Sequence, residues 1–100
     1  MSYAWEKFNL AGHTLKGIGS PKDRLVGAFD TIMLLRPEEV PEEKQNDFNR
    51  LFEELTRIRS EANTSPVQAT VNSMDDAEVE RSSERISSMH AAIKRHRLLA

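Results

Sequence analysis

The sequence predicts an all-α protein, a compact antiparallel bundle of four main helices with one additional short helix. Three observations carry that expectation. Apolar residues recur at three- and four-residue spacing along most of the chain. No long alternating run rich in β-branched residues and no Asn-Gly or Asp-Gly hairpin turn interrupts them. Glycine, proline and serine punctuate the apolar runs where helices should start and stop. One hundred residues without an internal repeat or a long flexible linker fit a single domain spanning 1–100.

The first helix is expected from Tyr3 to Lys16. Trp5, Phe8, Ala11 or Gly12, and Leu15 form one apolar face. Gly12 costs about 1 kcal/mol of helix propensity relative to alanine, which points to a close helix–helix approach. Gly17 or Gly19 can end the helix in the left-handed conformation. Ser20 then caps a second helix, with Pro21 at its first position and Asp23 near the free amides. Leu25, Val26, Phe29, Ile32, Met33, Leu34 and Leu35 would cover most of its circumference, so it should be central. Pro37 should stop it at Arg36, because the residue before a proline is pushed out of the helical region.

A connector, 37–41, leads into a third helix expected from Glu42 to Glu61. Its stripe is Phe48, Leu51, Phe52, Leu55 and Ile58. Ser65-Pro66 followed by Gln68 resembles a helix start, giving a short helix from Pro66 to Asn72. Ser73, with Asp76 three residues on, would cap a last helix from Met74 to Arg97. Its stripe of Val79, Ile86, Met89 and Ile93 is thin, as for an outer helix packed along one seam. The expected core is Trp5, Phe8, Leu25, Phe29, Ile32, Phe48, Leu51, Phe52, Leu55, Ile58, Ile86 and Ile93.

Composition narrows function. Cysteine is absent, which removes disulfides, thiolate chemistry and zinc sites with cysteine ligands. The start lacks the basic and apolar regions of a signal peptide. The densest apolar run, Ile32 to Leu35, falls far short of the roughly 18 residues that span a bilayer. A cytoplasmic protein that does not use a membrane is expected. The histidines are His13, His90 and His96, and the last two are six apart, pointing to different sides of a helix. No metal and no cofactor is expected. Gly17-Ile18-Gly19 follows no strand and lacks a third glycine, and no serine sits in a nucleophile elbow. A helix-turn-helix across 17–21 would need a polar reading head where Ile32 to Leu35 stand. Without a nucleophile–base or metal constellation, no enzyme is expected.

Charge is the remaining signal. Between residues 37 and 54 seven acids face two bases, although the whole chain carries only −2. The plain explanation is a solvated face with acids near a helix N-terminus. The functional one is an acidic docking surface of Glu38, Glu39, Glu42, Glu43 and Asp47 for a protein with a basic surface. The preferred reading is accordingly a non-enzymatic protein-interaction module, a small regulator or inhibitor.

The last helix begins with Asp75, Asp76, Glu78 and Glu80 and ends with Lys94, Arg95 and Arg97, as the helix dipole favours. An alternative use of that end is phosphate or nucleic-acid binding through His90, Lys94, Arg95 and Arg97. The slightly acidic pI of about 5.9 argues against general nucleic-acid binding. A third reading is a homo-oligomer, packed through the thin final stripe and Leu98-Leu99.

Overall fold

The computed structural model describes residues 2–59 and 63–99. The protein is all-α, and no strand occurs among the described residues. Five helices follow in order: α1 (Ser2–Leu15), α2 (Pro21–Ile32), α3 (Gln45–Leu55), α4 (Pro66–Asn72) and α5 (Asp76–Leu99). Two single 3₁₀ turns, Pro37–Glu39 and Glu42–Lys44, bridge α2 to α3.

The two serine–proline starts form as their chemistry dictates. Ser20 Oγ accepts from the Asp23 amide at 3.1 Å, and Ser65 Oγ accepts from the Gln68 amide at 3.2 Å. Each satisfies one of the amides that a helix N-terminus leaves free. Gly19 takes φ +110°, the left-handed conformation that lets the chain turn sharply between α1 and α2. Arg24 reaches back across that turn, donating from Nη1 to the Leu15 carbonyl at 3.3 Å.

α1 packs on α2 and α5, α2 also touches α4 and α5, and α3 rests on α4 and α5. α1 and α5 run in opposite directions, since Trp5 meets Arg97 at one end and Gly12 meets His90 nearer the middle. Gly12 does mark a close approach: a Cβ there would stand 2.9 Å from His90 Nδ1. The core holds Phe8, Leu25, Phe29, Ile32, Phe48, Leu51, Leu55, Ile86 and Ile93 as expected. Trp5 and Ile58 are half-buried instead, and Phe52 is 37% exposed.

The boundaries differ from the sequence expectation at three places. α2 ends at Ile32 rather than Arg36. Pro37 holds Arg36 extended, at φ −92° and ψ 150°, and the chain must turn before it. Leu35 thereby re-enters the core, whereas Leu34 is thrown outward and is 82% exposed. α3 begins at Gln45 behind a 3₁₀ turn and closes at Leu55, not Glu61. Thr56 Oγ1 donates to the Phe52 carbonyl at 2.7 Å, and the Ile58 amide donates to the buried Thr70 Oγ1 at 3.1 Å. Those bonds draw the backbone off the helical path toward α4. The stretch 60–62, to which the third helix was expected to extend, lies outside the described residues.

α5 is capped by Asp75 and not by Ser73. Asp75 Oδ1 accepts from the Glu78 amide at 2.8 Å, and Glu78 Oε1 accepts from the Asp75 amide at 3.2 Å, a reciprocal capping box. Ser73 Oγ donates instead to the Thr70 carbonyl at 2.7 Å, closing α4. The seam of α5 is Val79, Ser82, Ile86, Met89, Ala92 and Ile93, all buried.

Candidate protein-interaction groove

The early end of α2 opens an apolar groove at the surface. Met33 and Leu35, leaving α2, face Phe48 and Phe52 on α3 across an open groove of about 660 Å³. Arg36, Pro37, Asn49 and Glu53 complete its walls. Phe52 stands edge-on to Phe29, ring centroids 5.6 Å apart, so one part of its ring serves the core and the rest the groove. Leu34, between Met33 and Leu35 in the chain, is exposed.

The acidic segment borders this groove, and its members do different things. Glu38 and Glu39 both turn to Arg36 Nε, at 3.7 and 3.5 Å, and Glu39 also accepts from the Arg36 amide at 2.9 Å. Asp47 pairs with Lys44 Nζ at 3.7 Å, while the same ammonium donates to Ser88 Oγ on α5 at 3.0 Å. Glu43 meets His96 Nε2 at 2.8 Å and Arg95 Nη2 at 3.4 Å. The His96 hydrogen bond, reinforced by the neighbouring Arg95 guanidinium, holds the Glu43 carboxyl below the usual carboxylate range. Glu42 and Glu53 are exposed and make no ion pair among the described residues. Four of the five expected partner-binding acids lie along the connector and Asp47 lies in the first turn of α3, but four of the five already engage side chains of the protein itself. Exposed pairs of this type are weakly held and can be exchanged for a partner's charges.

The four basic residues considered for phosphate binding have different surroundings. Arg95 points toward Glu43, and Arg97 lies over the Trp5 ring, 5.0 Å from its centroid. Lys94 is exposed. His90 is half-buried in the α1–α5 seam, with its ring centroid 5.5 Å from that of Trp5 and its Nε2 buried without a hydrogen-bond partner. Burial, then the nearby charges of Lys16, Lys94 and His13, push the His90 pKa down. A histidine whose charged form is disfavoured by burial is a poor anchor for phosphate.

Reading periodicity alone misses the groove, because it is made by what Pro37 does to the preceding turn and by a tertiary pairing of that turn with α3. The usable signal was Leu34-Leu35 immediately before Arg36-Pro37: four residues that cannot all stay helical. Among the described residues no group of three histidine or acidic side chains is placed to hold a metal ion, and no helix is long and apolar enough to cross a membrane. No family model matches the chain, no curated protein matches it, and no solved structure matches it.

Proposed function

We propose that this protein is a non-enzymatic interaction module, a small regulator or inhibitor, that captures an amphipathic helical segment in the groove between α2 and α3. The observation that carries the proposal is the apolar channel of Met33, Leu35, Phe48 and Phe52, with Leu34, next to Leu35 in the chain, exposed. Burying one leucine-sized side chain there contributes roughly 1.5–3 kcal/mol, enough for a few anchors to dominate affinity. A helix laid in a groove presents such anchors at three- and four-residue spacing. The excess of acid along 37–54 selects a segment whose apolar face is flanked by lysine or arginine, and speeds its arrival. The absence of cysteine suits a reducing, cytoplasmic setting.

The test uses two synthetic amphipathic helices, one of leucine and lysine and one of leucine and glutamate, titrated against the full chain. The basic peptide should bind and shift the resonances of Phe48 and Phe52, and the acidic one should not. Leu34→Asp with Glu53→Lys should weaken binding at least about tenfold, a loss of about 1.4 kcal/mol. Reversing Glu42, Glu43 and Asp47 to lysine should slow association. Equal binding of both peptides, or binding that leaves the groove resonances unmoved, would overturn the proposal.

A further inference from the structure

Two exposed leucines end α5. Leu98 is 76% exposed and Leu99 85%, and they follow Lys94-Arg95-His96-Arg97. A short apolar anchor behind a run of cations is the chemistry that the α2–α3 groove selects. In the same copy these leucines leave the groove empty, because α5 carries them out into solvent.

We infer that the occupant of the groove is the last turn of α5 from a second copy of this chain, in a reciprocal dimer; the inference rests on the groove being a docking site. Room is sufficient: removing one buried leucine side chain from a protein core opens about 150 Å³, against a groove of about 660 Å³ here. The charges match. Glu53 lines the groove with an exposed carboxylate that pairs with nothing among the described residues, and Lys94 is exposed one turn before the docking leucines. Within one copy Arg95 and His96 reach Glu43, on the connector that Pro37 begins.

Placement also favours closure. Pro37 lines the groove, and Glu43, six residues further along the same connector, touches the end of α5. Groove and docking turn thus flank one short connector. A two-fold axis beside that connector lets each copy's leucines enter the other's groove, which closes the assembly at two instead of growing a filament. The arrangement would bury Leu98, Leu99 and Leu34 together with the exposed part of Phe52.

Sedimentation equilibrium on the full chain across a wide concentration range tests this. The weight-average mass should rise from one copy to two and stop. Leu98→Asp with Leu99→Asp should leave a monomer, and so should Leu34→Asp with Glu53→Lys; all four positions are exposed, so both variants should keep the helical circular dichroism of the parent. Mixing the two variants should restore a heterodimer through the one intact groove and the one intact pair of leucines. A monomer at all concentrations, or a dimer that survives the leucine changes, would overturn the inference. The leucine–lysine peptide separates the two ideas. If it binds a chain that never dimerises, the groove stands and its occupant is another protein. If it fails to bind as well, the groove reading falls too. A dimer lost on groove substitution but kept on leucine substitution places a different segment of the second copy in the groove.

Discussion

Gly12 and His90 occupy the same space to within a methyl group: a Cβ on Gly12 would stand 2.9 Å from the His90 Nδ1 atom. Alanine at this position gains about 1 kcal/mol of helix propensity but overpacks the α1–α5 seam, which costs about 1–3 kcal/mol. The ring cannot swing freely, since Trp5 backs it. Gly12→Ala should therefore lower the denaturation midpoint, and Gly12→Ala combined with His90→Ala should recover most of the loss. A midpoint that rises in the single variant would mean that the seam yields.

His90 also gives the fold a pH dependence. Its folded pKa lies below the ordinary value of 6.5 because of burial and the charges of Lys16, Lys94 and His13, with Arg97 on the far side of Trp5. Below that ordinary value the unfolded chain binds a proton that the folded chain resists. Stability contributed by neutral His90 is complete above about pH 6.5 and should fall as the pH drops toward the folded pKa. Urea denaturation as a function of pH should show this slope, and His90→Gln should flatten it. An unchanged slope would show that His90 does not carry the effect.

The start of α5 offers a sharper local test. Asp75→Ala removes the side-chain acceptor for the Glu78 amide and should cost about 1 kcal/mol. Ser73→Ala removes only an exposed donor to the Thr70 carbonyl and should cost less than half as much. Reversal of that order in thermal melts would return the cap to Ser73.

Thr70 is fully buried and binds the Ile58 amide, so it pins the chain beyond α3 to α4. Thr70→Val keeps the shape but leaves that amide without its partner, for a loss of about 1–3 kcal/mol. Thr70→Ser should lose less, since the hydroxyl remains. Hydrogen exchange at Ile58 should speed up in the valine variant alone.

These positions show where reading the chain succeeds and where it stops. Ser20-Pro21 and Ser65-Pro66 start helices through bonds that span three residues, so the chain itself displays them. The stripe of Phe48, Leu51 and Leu55 is likewise local. Phe52 sits on that same stripe and is nevertheless partly exposed, because the turn opposite it is pulled away by Pro37. The Ile58–Thr70 bond and the pairing of Glu43 with Arg95, residues 52 apart, depend on which helices meet, and no spacing rule reports that. The acidic connector was visible as charge, but not that most of its members are matched by the protein's own cations.

Trp5 is the only tryptophan, and it sits between the Arg97 guanidinium and the His90 ring. The molecule thus carries a single indole fluorophore, excitable apart from Tyr3, at the junction of its first and last helices. Its emission can register a proton on His90, displacement of Arg97 when the end of α5 is engaged, and separation of α1 from α5 on unfolding. A single optical signal, without a label, can follow all three.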